Sequence, residues 1–513
     1  MVTFFRRASA ACALLAVGLS SALCAQDVER SSQRPNVLMI IADDLNHWVG
    51  HLGRNPDTRT PNLDALAKEG VSFRHAYAAA PTCNPSRTAL LSGRRPGTTG
   101  VYQNVRLIKE VDWRQYLRDG ERLPEQFKAA GYRVFGAGKL YHGTDYFEED
   151  WTQYRPLDRA IHNGPGVDAN DGFLSPRVKD LEDEDFDDFH TTRWCGKRIE
   201  ESGDAPFFLA CGLYKPHLAF TVPDRFHDRF APESVTLPSF ATDDLTDVPK
   251  LGRARVRGND FRQIFGRGRW RKVIANYLAA VNYTDENIGY LIEKLRESGQ
   301  YDNTIIVVFG DHGWHFGEKG QFRKNTLWEE GTRTPYIWRV PGLTPEGALV
   351  EAPVDLMSVY PTLMELASIP RPDHVEGQSV ATLLGSPEAE WGHPAISTID
   401  QGSNAVRLGP YRLIEYSDGT REFYDHESDP LEWTNRAGEA AYKEAEQRLA
   451  AFLPTDQITS APEMTMALRK PALERALSKS LSIPQALISV LTLGLVFAVS
   501  GFVLGRRRGR ERA

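Results

Sequence analysis

The stretch "NVLMII" (36–41) constrains the fold more than any other part of the chain. Five apolar residues in a row leave no polar face. A strand built from them must be covered on both sides, as in a parallel sheet with helices above and below. The runs 132–139, 206–217 and 303–313 have the same character. Helical patterns lie between them: "PNLDALAKEG" opens at Pro61 and stops at Gly70, and "LPEQFKAAG" stops at Gly131. Residues 270–298 place Ile274, Leu278, Val281, Ile288, Leu291, Ile292 and Leu295 on one stripe. This alternation predicts an α/β domain over 34–384, with a large, mixed, mostly parallel sheet flanked by helices. From 385 to 470 the texture changes to "AISTI", "NAVRLGPYRLIEY" and "REFYDHESDPLEW", which predict a small antiparallel-sheet subdomain with a charged helix near 437–453.

Two charged stretches interrupt this pattern. Residues 150–190 read as a long loop, with "DLEDEDFDD" (180–188) a solvated acidic run. Residues 252–273 are strongly basic and read either as a mobile surface segment or as a rim that gathers a polyanion. The net charge of −7 argues against nucleic-acid binding, so an anionic substrate must be met by a local cluster of cations.

Both ends carry address signals. Residues 1–25 have two arginines, an apolar run and then small residues, the layout of a secretory signal peptide. Cys24 suggests a lipoprotein, but Leu23 stands where a small residue is wanted; Arg6 and Arg7 also fit twin-arginine export. Residues 483–505 are apolar and long enough to span a bilayer, and the basic tail 506–513 follows at once. The expectation is an exported, periplasmic or cell-surface protein anchored by that segment; a sorting signal removed after export is the rival. Beyond residue 25 the cysteines are Cys83, Cys195 and Cys211. Cys195 and Cys211 can pair if Cys83 is used chemically, but two buried thiols are the simpler expectation.

The chemistry gathers at strand ends. Asp43–Asp44, Lys139 with His142, Lys215–Pro216–His217 and Asp311–His312 each close an apolar run. Ligands of open α/β sheets bind beyond the carboxyl ends of the strands. Three carboxylates brought together repel one another unless a divalent cation joins them, and oxygen donors favour calcium or magnesium; His312 is a less usual partner for so hard an ion. Lys139, Lys215, Lys324 and Arg87 suit a tetrahedral oxyanion, and His142 and His217 suit proton transfer near neutral pH. Cys83 opens a helix-forming run followed by Arg87, Arg94 and Arg95, which places a thiol at a positively biased helix start. The plain alternative is a small buried residue in a turn.

This ordered set resembles the sulfatase family. Residues 83–87, "CNPSR", fit the signature C-x-P-S-R, and the likeness runs through "NVLMIIADDLN", "GKLYH", "YKPH", "GDHGWHFGEKGQFRKNTLWE" and "FYDHESDPLEWTN". Within the family the segments look most like iduronate-2-sulfatase and its bacterial relatives, except that Gly143 stands where that subgroup tends to carry proline. The resemblance implies an alkaline-phosphatase-like fold and hydrolysis of carbohydrate sulfate esters, with a 2-O-sulfated uronic acid as the expected substrate. It implies that a maturation enzyme converts Cys83 to Cα-formylglycine. It also implies one calcium ion held by Asp43, Asp44, the converted Cys83, Asp311 and His312. Arg87 and the metal would activate a hydroxyl of the hydrated aldehyde, which attacks sulfur. His142, helped by Lys139, would then assist collapse to the aldehyde, while His217 and Lys324 bind sulfate and protonate the leaving oxygen; Lys215 would add charge. Trp314 and His315 would shape the sugar pocket. The competing readings are a phosphonate monoester hydrolase or phosphodiesterase of the same superfamily, and an inactive membrane-tethered glycan-binding protein.

Overall fold

Eight strands build the large sheet: β1 (Asn36–Asp43), β2 (Val71–Phe73), β3 (Arg133–Gly138), β4 (Gln153–Pro156), β5 (Phe207–Pro216), β6 (Thr304–Gly310), β7 (Tyr336–Arg339) and β8 (Ala348–Val350). Their spatial order is β8-β2-β7-β6-β1-β5-β3-β4. All neighbours run parallel except β7, which is antiparallel to both β6 and β2. The fold is therefore the mixed, mostly parallel α/β architecture expected. The computed structural model describes residues 34–458 apart from 105–112, 166, 168–172, 174–177 and 204. The segments 1–25, 483–505 and 506–513, expected to act as leader, membrane span and tail, lie outside the described residues. Among the described residues no helix is long and apolar enough to cross a membrane.

The period of two along β1 explains why it has no polar face. Leu38, Ile40 and Ala42 enter one core, with residues of α1 (Pro61–Lys68), whereas Val37, Met39 and Ile41 enter a second, with Leu90 and Leu91 of α2 (Cys83–Ser92) and Phe127 of α3 (Leu123–Ala129). The first core also takes Cys195 and Ile199 of α4 (Asp187–Glu200) and the apolar stripe of α5 (Trp270–Glu297). Covering both faces in this way leaves the carboxyl ends of the central strands as the place where polar groups can gather.

Three expectations need correction. The 150–190 stretch is not all loop: β4 adds an edge strand beside β3. The acidic run is not wholly solvated either. Asp187 and Asp188 begin α4 and are buried, Asp187 pairing with Arg155 at 2.7 Å. Cys195 and Cys211 are joined in a disulfide rather than left as thiols. Helix α4 packs directly on β5, so the two side chains enter one seam from opposite sides.

Four antiparallel strands follow: β9 (Ala395–Asp400), β10 (Ser403–Leu408), β11 (Tyr411–Glu415) and β12 (Arg421–Asp425). Val406, Leu408, Leu413 and Phe423 pack against Leu449 of α6 (Lys443–Ala450), while Ala405, Ile414 and Tyr424 face Leu327 and Trp328. Arg412 reaches through that second face to Glu329 and Glu432, and Trp328 Nε1 donates to Glu422 at 2.8 Å.

Candidate active site

Asp43 is the last residue of β1, and Asp44 follows in a left-handed conformation (φ 62°) that aspartate tolerates better than most residues. Two contacts hold it there: its N–H donates to Asp311 Oδ1 at 3.0 Å, and the Tyr277 hydroxyl of α5 donates to its carbonyl at 3.0 Å. Asp311 and His312 follow β6, which runs alongside β1 and so brings the distant aspartates together. Gly310 allows the close approach, since a Cβ there would lie 2.0 Å from the Leu45 carbonyl oxygen.

Arg87 is buried one turn into α2 and ties three strand ends to that helix. Its Nε donates to Asp311 Oδ2 at 2.7 Å, its Nη2 lies 3.4 Å from Asp43 Oδ1, and its Nη1 donates to the Lys139 carbonyl. Lys139, just beyond β3, contacts the other Asp43 oxygen. Lys324 contacts Asp44 and lies 3.0 Å from Cys83 Sγ. Three cations thus meet three carboxylates around the first residue of α2. Cys83 is fully buried, and His312 Nε2 lies 3.3 Å from its sulfur.

The electrostatics follow from this crowding. Burial alone would raise Asp43, but Lys139, His217, Arg87 and Lys324 hold it well below the ordinary carboxylate range. Burial pushes Asp44 up to about 7, helped by Asp43 and Cys83 and opposed by Lys324. Burial and Asp43 would also raise the Cys83 thiol, yet Lys139, Lys324 and His312 bring it down to about 7. These donors fit a divalent cation. Asp43, Cys83, Asp311 and His312 each offer an atom within 4.8 Å of the others, as do Asp43, Asp44, Cys83 and His217. Asp44 Oδ2 is buried without a hydrogen-bond partner. Carboxylates make up half of each set, and Asp43, Asp44 and Asp311 are the hard oxygen donors that calcium or magnesium takes.

Burial lowers both His142 and His217, His217 well below the ordinary imidazole range. His217, after β5, places Nε2 3.8 Å from Asp44 Oδ2 and 4.0 Å from Asp43 Oδ2, with Nδ1 2.6 Å from the Leu218 carbonyl. His142 is pushed down to about 3 by burial, with Lys139 adding to the effect, and its Nδ1 is buried without a hydrogen-bond partner. Gly143 has φ 73°, which proline cannot adopt, so this loop is built differently from one carrying proline there.

Three expected site residues are not brought to this centre. The Lys215 ammonium donates to the Ala219 carbonyl and lies 5.8 Å from the Phe186 ring centre and 5.7 Å from that of Tyr214. Burial lowers it to about 7 against the pull of Asp188. Trp314 is enclosed by Phe173, Phe220 and Phe316, with only its ring face near Lys324 at 5.4 Å. His315 bonds Thr326 Oγ1 at 2.7 Å and lines a separate cavity with Glu318 and Glu432. Sequence reasoning passed over Tyr277 and Ser86, whose hydroxyl donates to the Asp311 carbonyl. Tyr277 gave no signal beyond an apolar helix stripe; Ser86 sits inside the quoted signature. In a second acidic cluster, Glu329, His426 and Glu432, the two carboxylates already pair with Arg412 and Arg333.

A buried nucleophile at a helix start, beside carboxylates and cations at the carboxyl ends of β1 and β6, defines a hydrolase of anionic esters. A family profile described as Sulfatase matches residues 35–369, and one described as N-sulphoglucosamine sulphohydrolase, C-terminal, matches 317–458. The chain belongs to the sulfatase family, and it is a sulfuric ester hydrolase. It is 35% identical to a sulfatase of Formosa agariphila over 87% of this chain and 92% of that protein. It is 30% identical to mouse iduronate 2-sulfatase, over 66% of this chain and 69% of the other. Its fold superposes on the phosphonate monoester hydrolase of Agrobacterium radiobacter with a TM-score of 0.68, 20% identity, and coverage of 82% of this chain and 95% of that one.

Proposed function

We propose that this protein is an exported, formylglycine-dependent sulfatase that removes sulfate from carbohydrate, with a 2-O-sulfated uronic acid as substrate and calcium as its metal. The observation that carries the reading is the position of Cys83, enclosed by Lys324 and His312 next to three carboxylates. The likeness to iduronate 2-sulfatase supports the sugar class, and the signal-like and apolar terminal segments support export with membrane anchoring. The subdomain over 385–470 belongs to the same proposal.

Charge balance supports a divalent metal. Asp43, Asp44 and Asp311 are matched by Arg87, Lys139 and Lys324. A bound sulfate ester and an ionised nucleophile together add two negative charges, which a divalent cation offsets. Asp43, Asp44, Asp311 and His312 would hold that cation beside residue 83, where it would polarise the sulfate oxygens. Conversion of Cys83 to formylglycine would supply a hydrated aldehyde, whose second hydroxyl gives an exit for sulfate that a thiol lacks. Arg87 and Lys139 would fix the geometry of the reacting group, and His142 Nδ1 is available to take a proton. His217 and Lys324 would bind the sulfate and protonate the departing sugar oxygen.

The test uses protein matured with a formylglycine-generating enzyme and supplied with calcium. Nitrophenyl sulfate should be hydrolysed far faster than bis-nitrophenyl phosphate, and heparin disaccharides should lose sulfate only when the uronate carries it at the 2-O position. Preference for the phosphate diester would favour the phosphodiesterase chemistry; loss of sulfate from other positions would reject the uronate assignment.

A further inference from the structure

Asp188 and Lys215 lie outside the centre described above, yet both are ionisable and buried, and both act on the segment that carries His217. Asp188, at the start of α4, accepts the backbone N–H of Tyr214 at 2.6 Å and of Lys215 at 2.8 Å. Lys215 returns its ammonium to the Ala219 carbonyl. The Tyr214 hydroxyl donates to the Leu218 carbonyl at 3.1 Å, and Ala219 N–H to Asn163 Oδ1 at 3.3 Å. Residues 214–219 therefore form an arch whose two feet are joined by the Lys215 side chain and anchored to α4 by Asp188. His217 stands at its crown. Nδ1 is tied to the Leu218 carbonyl, which leaves Nε2 to face the aspartates. No ion pair joins Asp188 to Lys215 among the described residues; each holds the arch through backbone groups, Asp188 from the α4 side and Lys215 across the two feet.

We infer that Asp188 and Lys215 together position His217, holding the 214–219 arch by their separate backbone contacts so that Nε2 faces the reacting ester. The inference rests on the proposed role of His217 as proton donor to the leaving oxygen. It also gives Lys215 a place in the chemistry other than contact with sulfate.

The experiment compares Asp188→Ala, Asp188→Asn, His217→Ala and the Asp188→Ala/His217→Ala double variant, all matured and calcium-loaded. Each is assayed on nitrophenyl sulfate, whose leaving group needs little protonation, and on a simple alkyl sulfate, whose leaving group needs it. Asp188→Ala should lower kcat on the alkyl sulfate by about 100-fold, with much less effect on nitrophenyl sulfate and little change in KM. Asp188→Asn, which keeps one acceptor, should fall between. The double variant should be no worse than His217→Ala alone, because the two act through one group. A crystal structure of Asp188→Asn should show the His217 ring displaced from the aspartates. Equal losses on both substrates from Asp188→Ala where His217→Ala does depend on the leaving group, additive effects, or an unmoved arch would overturn the inference. If His217→Ala shows no leaving-group dependence while the arch moves in Asp188→Asn, the proton-donor role fails and the positioning stands. Should Asp188→Ala not fold, Lys215→Met carries the same comparison.

Discussion

Arg87 bonds Asp311, approaches Asp43 and reaches the Lys139 backbone from a side chain that is 1% exposed. A planar fork can reach several acceptors at once, whereas a lysine ammonium is a point charge. Arg87→Lys should therefore leave one carboxylate unmatched and lower kcat/KM by more than about 100-fold. Arg87→Ala should also cost about 3–5 kcal/mol of stability, read by urea unfolding, because it strands buried charge. A loss of less than about 1 kcal/mol would mean that the aspartates are relaxed by water or held by other groups. At this scale the sequence was legible wherever residue type and position after a strand decided the outcome. Asp43, Asp44, Asp311 and His312 each follow an apolar run, and the parallel pairing of β1 with β6 brings them together. Lys215 has the same credentials, yet its side chain doubles back to Ala219. Side-chain direction is set by what packs around the loop, and no residue type announces it. The contacts of Trp314 with Phe316 and of His315 with Thr326 are likewise announced by no residue type.

The elements were legible through their periods. Unbroken apolar runs marked the double-covered strands, and a helical stripe marked α5, found at Trp270–Glu297 against an expected 270–298. The short edge strand β4 was missed, because four half-exposed residues carry no apolar period. The Asp187–Asp188 start of α4 was hidden in the acidic run; only packing against β5 shows that Asp188 is an internal hydrogen-bond acceptor. The same packing closes the Cys195–Cys211 bridge, which spans 16 residues of sequence. A loop of that length constrains the unfolded chain by about 3 kcal/mol. Cys195→Ser should lower stability by about that amount in non-reducing buffer, with no further change on adding dithiothreitol. Equal stability of the wild-type protein with and without reductant would show that the bridge does not contribute.

For the whole molecule, the α/β class and the antiparallel region after residue 385 could be read from texture, but the strand order could not. The antiparallel insertion of β7 between β6 and β2 depends on long-range pairing that leaves no local mark. That order nevertheless sets the function, because it puts β1 between β5 and β6 and so gathers three chemically loaded strand ends around the start of α2. The account makes residue 83 the reacting group of that assembly. The most direct test is peptide mass mapping of residue 83 in enzyme produced with and without a maturation enzyme, paired with turnover of nitrophenyl sulfate on the same samples. The account predicts that activity rises in proportion to the fraction of peptide in which the thiol has become an aldehyde. Full activity from protein whose residue 83 is entirely intact cysteine would contradict it.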